Sequence, residues 1–403
     1  MKKKKILLIH HSGLLGGAGI SLYNTWKTLE KKYDVVCYIP NDPPELLNFL
    51  KENGLNPQVF KFRLGKLTYY SGGNNLLNPR FWYHALHSFT QIRYWKQILL
   101  KESPDLVFVN SKVLCWMGKL VNGTTKSICF VRETIPGSPK SLMNRLMKKM
   151  LDDFTAVAFL SEYDLLQTGL TKASTVVSPD FLDVDDYKEK NERELACKSL
   201  NINPGSFNVL FVGGTDKLKG LDIALNALIR LKDEDINLVI AGKNFGEITG
   251  YNFKQLIDRF KKRKMIKFSK QIKTLIEKNG IENKVNFIGI QKDMSDSFSA
   301  CDVLIFPMVD PHQARPAFEI GVQKKTVIIS DFPNIREFVQ HGVNGLTFKP
   351  NNPDSLAEAI LKIKNNKNLL KTLGNTNYEY TMKYHTEKYA MGRLIEKIDE
   401  VLK

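Results

Sequence analysis

The 403-residue sequence has few cysteines: Cys37, Cys115, Cys129, Cys197 and Cys301, scattered, odd in number and without a CxxC pair. Such spacing excludes a disulfide framework and a thiolate zinc site, so a reducing compartment is expected. There is no run of 18 apolar residues, so nothing is expected to span a membrane. The start, MKKKKILLIHHSG, offers only Ile6 to Ile9 before two histidines intervene. It reads as a first buried strand behind a basic leader rather than a secretory signal. No P-loop GxxxxGK[ST] occurs, and no Ser-His-Asp arrangement is recognisable from spacing.

Acidic residues are also short, 42 against 59 Lys and Arg, for a net charge of +17. That balance points to a polyanionic partner or an anionic membrane surface, or else to solvated charge on a lysine-rich chain. Lysine dominates, which suits diffuse electrostatics better than base reading. With no interleaved aromatic and basic RNA motif, a nucleic-acid partner is not expected.

What is present is material for two cores: 43% hydrophobic residues in a chain too long for one. Short apolar runs alternate with helical periodicity, the mark of a parallel α/β sheet. Strands are predicted at residues 6–10, 35–39, 106–109, 127–131 and 156–160, with helices at 20–30 and 80–100 among the segments between them. A second series is predicted at 209–212, 238–241, 285–288, 303–306, 326–329 and 345–348. Residues 178–194, SPDFLDVDDYKEKNERE, are polar, acidic and proline-interrupted, and read as a linker. Two doubly wound domains follow: an N-terminal one over 1–185, joined by a final helix at 388–403, and a C-terminal one over 186–387. The final helix carries the apolar stripe Met391, Leu394, Ile395, Ile398, Leu402, which must dock somewhere. A basic insertion lies at about 250–280. Phe253, Leu256, Ile257 and Phe260, then Phe268, Ile272, Leu275 and Ile276, have helical spacing there among Lys and Arg. It is either a core-facing helix pair with a solvated face or a basic amphipathic stretch for anionic lipid.

Three segments carry candidate chemistry. SGLLGGAGIS, residues 12–21, follows the first strand and opens a helix, so Gly16 and Gly17 would let backbone approach a phosphate. Its spacing is not GxGxxG, and a tight turn without ligand explains it equally. FVGGTDKLKGLDIALNAL, residues 211–228, repeats the arrangement with Gly213 and Gly214. Lys219 at its helix start is placed to neutralise a diphosphate leaving group, with Lys217 as a nearby substitute; a solvent-facing turn lysine is the bland alternative. PHQARPAFEIGVQKKTVIISD, residues 311–331, puts Glu319 at the start of an apolar helical turn, behind His312 and Arg315. The carboxylate could accept two hydrogen bonds from a ribose or could cap its own helix.

Further candidate residues lie outside these segments. Arg132-Glu133 ends a strand at its carboxyl edge, where open α/β sheets bind ligands, unless the two simply pair. His10 and His11 share that kind of location. Asp183-Val184-Asp185 is formally a metal-binding DxD but lies in the linker. RFWYHALHSFTQIRYW, residues 80–95, is an aromatic, basic helix, mostly core with an exposed part suited to an acceptor or a membrane.

Together GGAGIS, AVAFLSEYDLLQ, FVGGTDKLKGLDIALNAL, VNFIG, FSACDVLIFPMVD, ARPAFEIGVQKKTVIISD and GVNGLTFKPNNPDSLAEAI resemble, in order and spacing, the family-4 retaining glycosyltransferases of the GT-B fold. The resemblance implies two Rossmann-like domains facing each other across a cleft. The nucleotide-diphosphate sugar would bind the C-terminal domain and a glycan or lipid-linked acceptor the N-terminal one. It implies metal-independent retaining transfer of a hexose, as in surface polysaccharide synthesis, in the cytoplasm or at the inner membrane face. Lys219 matches the diphosphate lysine, Glu319 the second glutamate of E-x7-E, and Gly16 and Gly17 the diphosphate loop. Donor contacts are implied for Gly213, Gly214, Lys217, His312, Ala314 and Arg315, and catalytic roles for Lys219, Arg132 and Glu133.

Three positions depart from the family. Pro311 stands where the first glutamate of E-x7-E belongs, Gly214 where a phosphate-binding arginine belongs, and Arg132 where many members have histidine. These departures leave a second expectation open, a catalytically inactive sugar- or nucleotide-binding protein on the same fold.

Overall fold

Runs such as Ile6–Ile9, Val107–Val109, Leu238–Ile240 and Leu304–Phe306 are apolar at every position, as strands covered on both faces must be. In the computed structural model they form two parallel sheets. Residues 2–60, 79–135, 140–243 and 256–403 are described, with side chains except at 79–81, 84 and 256–265. Contacts divide the chain into one unit of residues 1–182 and 384–403 and a second of 183–383. These breaks fall three to four residues from the boundaries set at 185/186 and 387/388.

The first unit holds β1 (Lys5–Ile9), β2 (Asp34–Pro40), β3 (Gln58–Phe60), β4 (Leu106–Val109), β5 (Lys126–Val131), β6 (Ala156–Phe159) and β7 (Ser174–Val177). Their order is β3-β2-β1-β4-β5-β6-β7. The second holds β8 (Phe207–Val212), β9 (Ile236–Ala241), β10 (Val285–Gly289), β11 (Val303–Phe306), β12 (Thr326–Ser330) and β13 (Gly345–Phe348), ordered β10-β9-β8-β11-β12-β13. Each sheet reverses direction between its first strand and the strand beside it, β1/β4 and β8/β11. That reversal is where doubly wound folds open a crevice at the carboxyl edge.

The strands expected from sequence are present with ends shifted by a residue or two. Two were missed, β3 and β7, the edges of the first sheet, which are short and only partly buried. The final helix, Glu387–Leu402, docks in the first unit: Met391, Leu394 and Ile398 are buried with Leu22, Leu29 and Ile39. Segment 178–194 is structured rather than loose. Ser178 Oγ donates to Ala390 O at 2.9 Å, and Leu182 bridges Thr386.

Among the described residues the basic insertion forms one helix, Leu256–Asn279, rather than a pair. Phe253 lies outside the described residues. Phe268, Ile272 and Ile276 are buried in the second core beneath Leu228 and Ile240, so that apolar stripe faces protein. Glu319 is also placed differently. The helix is Arg315–Glu319, and Glu319 is its last residue, not its first. Pro316, which has no N–H to lose, starts the turn early, and Lys324 in the left-handed region ends the following 3-10 turn before β12.

Candidate functional site

At the end of β8 the chain is pressed against the end of β9. Gly213 and Gly214 N–H both donate to Ala241 O, at 3.0 and 2.9 Å. Gly214 has φ +55°, and a Cβ there would stand 2.5 Å from Lys243 N. An arginine does not fit without moving that backbone, which explains the residue found at 214. Asp216 caps the 3-10 turn Lys217–Lys219 by accepting from Leu218 N at 2.9 Å. Gly220, at φ +81°, opens the next helix against Pro307 O. This turn points Lys217 into solvent and folds Lys219 inward over Gly213, whose hypothetical Cβ would meet the lysine stem at 2.6 Å.

Lys219 Nζ meets His312 Nε2 at 3.0 Å, while His312 Nδ1 lies 2.8 Å from Asp310 O. A carbonyl only accepts, so Nδ1 carries the proton and Nε2 takes a hydrogen bond from the ammonium. Both groups lie over Phe306, the lysine 5.1 Å and the imidazole 5.4 Å from its ring centre. Burial lowers the Lys219 pKa, with Asp216 opposing. Burial, then the neighbouring ammonium, pushes His312 down to about 4. The loops after β8 and β11, on either side of the reversal, thus meet through this pair.

Glu319 is 8% exposed and accepts from Arg315 Nε at 2.6 Å and from Tyr187 O–H at 2.9 Å. Tyr187, from the segment read as linker, stacks on Phe298, and its carbonyl accepts from Gln323. Burial, then the Glu319 charge, raises its phenol pKa. Ala314 is a buried N-cap whose side chain bonds nothing.

In the first unit the carboxyl edge is filled differently. Arg132, 8% exposed, donates to Asn110 Oδ1 at 2.5 Å and Thr25 Oγ1 at 2.7 Å, and meets Asp180 Oδ1 at 3.4 Å. Its guanidinium lies 4.1 Å from the Phe130 ring centre. Ser21 Oγ also donates to Asp180, at 2.6 Å, and Asn110 Nδ2 lies 3.1 Å from His10 Nδ1. Glu133 does not pair with Arg132. It accepts from the Ser111 hydroxyl and from Lys112 N. Lys112, 1% exposed, donates to Thr134 O at 2.6 Å. Its pKa is lowered by burial, with Glu133 and Asp164 opposing. His10 and His11 are buried in the same layer. Gly16 and Gly17 lie exposed at the start of the Gly17–Glu30 helix, where Gly16 O accepts from Gly19 and Ile20 N. Asp183 of the DxD caps its own turn through Asp185 N.

Residues 192–380, most of the second unit, match the family of glycosyl transferases group 1. The second unit is similar to group 1 glycosyl transferases, and the chain has the GT-B fold. An uncharacterized glycosyltransferase of Methanocaldococcus jannaschii is 29% identical over 51% of this chain, a match that spans about half that relative's length. Among solved structures, HepE of Anabaena in complex with UDP superimposes with TM-score 0.77 at 18% identity, covering 98% of this chain and all of that one. Sucrose-phosphate synthase of Thermosynechococcus elongatus gives TM-score 0.73 at 18% identity, covering 99% and 100%.

Within the second unit the structure brings together Lys219 and His312, and separately Arg315 and Glu319, of the residues singled out from sequence. Tyr187 was missed, and the signal available was an aromatic side chain in an acidic segment. Asp180, Asn110 and Thr25 were missed because only folding brings them to Arg132.

Proposed function

We propose that this protein is a retaining glycosyltransferase that moves a hexose from a nucleotide-diphosphate sugar to a glycan or lipid-linked saccharide in surface polysaccharide synthesis. The observation that carries the reading is the Lys219–His312 contact across the β8/β11 reversal, with Glu319 at the end of the short helix that follows His312. A desolvated ammonium opposes the charge that builds on a leaving diphosphate, and does so in a low-dielectric site where the interaction is strong. Glu319 takes the ribose hydroxyls in place of Tyr187. In this reading Lys219 neutralises the diphosphate without a metal, and the diphosphate, as the sugar leaves, assists the acceptor hydroxyl on the same face. The family, and the UDP and UDP-glucose bound by HepE, support the choice of donor class. The chain's basic surplus suits a lipid-linked acceptor at the cytoplasmic membrane face.

Thermal unfolding with UDP, GDP and ADP, followed by product analysis with the matching sugars, tests the proposal. One nucleotide should raise Tm by mass action. No shift with any of them, and no transfer, sinks it. A second reading, a nucleotide-binding protein without turnover, draws on Glu319 being already bonded to Arg315 and Tyr187. Detectable transfer or donor hydrolysis excludes it.

A further inference from the structure

Among its described side chains, the helix Pro79–Glu102 turns two polar residues inward and two large apolar residues outward near its middle. Ser88 and Gln91 face inward and are 4% exposed, while Leu86 and Phe89 face outward at 68% and 71%. The outward stripe runs Trp82, Leu86, Phe89, Arg93, Lys96, Leu100, at spacings of three and four that keep it on one face. Trp95 and Ile98, on the opposite face, anchor the helix in a core shared with Met147 and Leu151. Those two belong to Leu142–Leu151, which covers the same side of the sheet. That helix also turns Leu142 and Leu146 to solvent, beside exposed Arg145 and Lys149. Two large apolar side chains this exposed on one helix face are covered when an apolar partner lies on the outer side.

The charges identify the partner. Glu102 is the only acid in the longer helix, sits at its far end and is held by Lys5 and Tyr38; the shorter helix has none. The face therefore combines aromatic and aliphatic side chains with cations only. A second copy docking through the same face would set its cations against themselves. A bilayer of anionic lipid offers both an apolar layer for Trp82, Leu86 and Phe89 and phosphate for Arg93 and Lys96. On the basic Leu256–Asn279 helix the match is weaker among the described side chains: Phe268, Ile272 and Ile276 are buried, and Ile266 is the one large apolar side chain exposed.

We infer that the face formed by Pro79–Glu102 and Leu142–Leu151 is a docking surface for an anionic membrane, lying in the plane of the headgroups. The biological occupant rests on the lipid-linked acceptor of the proposed function; the surface itself is testable without donor or acceptor.

Trp82 makes the test direct. It is 56% exposed, whereas Trp26, Trp95 and Trp116 are at most 8% exposed, so a spectral change on binding reports from this helix. The full chain is mixed with phosphatidylcholine vesicles with and without phosphatidylglycerol. The expected result is sedimentation with the anionic vesicles only, lost at high salt. Tryptophan emission should shift to the blue and be quenched by brominated lipid, and both changes should vanish in Trp82→Phe. Leu86→Glu with Phe89→Glu should lower the partition coefficient about tenfold or more, since binding scales with buried apolar area, with nucleotide binding to the second unit unchanged. Equal sedimentation with both vesicle types, no Trp82 response, or loss of binding on Lys267→Glu with Lys270→Glu but not in the helix variants would each overturn the inference. So would a Phe89-dependent dimer in solution. Failure of the nucleotide thermal shift alone would count against the proposed reaction and leave this surface standing.

Discussion

At the carboxyl edge of the first sheet, Arg132 spreads its donors over Asn110, Thr25 and Asp180 and lies against Phe130. At the same edge of the second sheet, Lys219 has one hydrogen-bond acceptor among the described residues, His312 Nε2. Arg132 is buried at the end of β5 and Lys219 is half-buried on the turn after β8, both in doubly wound units, and both were candidates for catalysis. The difference lies in how much of each cation's bonding is already used. A guanidinium held at several points holds a layer of the fold together. An ammonium with three donors and one acceptor, half-covered by an aromatic ring, has bonding left for a ligand. Position at the carboxyl edge marks where a ligand can bind; the remaining donors show which side chain can meet it.

The largest expected effect tests the structural half. Arg132→Ala takes from Asn110 Oδ1 its guanidinium donor and from Asp180 the nearby positive charge, in a layer with little solvent. Stability should fall by about 3–5 kcal/mol, as when one partner of a buried pair is removed, measured by urea unfolding. Nucleotide affinity of the protein that remains folded should hold. A normally stable variant without transfer activity would reverse the assignment and restore Arg132 as a catalytic residue.

Lys219→Ala should do the opposite. Turnover should drop about 10²- to 10³-fold, the scale of losing one preorganised charge partner in a transition state. Unfolding stability should hold or rise, because a desolvated cation is removed. Wild-type turnover here would end the comparison.

Glu319 sharpens it further, being a carboxylate with two partners of its own. Glu319→Gln should weaken nucleotide binding by about 1.5–3 kcal/mol, the range of charged hydrogen bonds, read by titration calorimetry. Tyr187→Phe should strengthen it slightly, because the phenol no longer competes with the ribose. If both variants bind as wild type does, Glu319 is structural, and the second edge is held together much as the first is.

Much of this was visible in the sequence, unevenly. The buried central strands declared themselves because both faces are apolar, and Lys219 because a glycine-rich turn after a strand leaves few other placements. β3 and β7 did not, since edge strands bury less and carry polar residues. Glu319 was expected at a helix start because apolar residues follow it; Pro316 moved the start to Arg315. Gly214 looked like a missing arginine until its φ and the nearby Lys243 backbone gave it a reason. Tyr187 stayed hidden because an acidic, proline-interrupted segment has no period to read, and Asp180 because Ser21 lies 159 residues away.

His312 gives the smallest effect and separates the two kinds of cation on a single residue. Its folded pKa, about 4, lies below the ordinary histidine value of about 6.5. Between those values the unfolded chain binds a proton that the folded protein refuses, so stability rises with pH across the window. The contribution is complete above 6.5, is lost as pH falls toward 4, and is constant below. One such group adds a slope of at most about 1.4 kcal/mol per pH unit. His312→Gln keeps an acceptor for Lys219 but cannot take up a proton, so its stability curve should be flatter by that amount between pH 6.5 and 4. Saturating nucleotide should flatten the wild-type curve as well, because a diphosphate drawing Lys219 away removes the charge that opposes imidazolium. A slope that survives in His312→Gln would place the titration elsewhere. A slope indifferent to nucleotide would mean that Lys219, like Arg132, is spent on the fold.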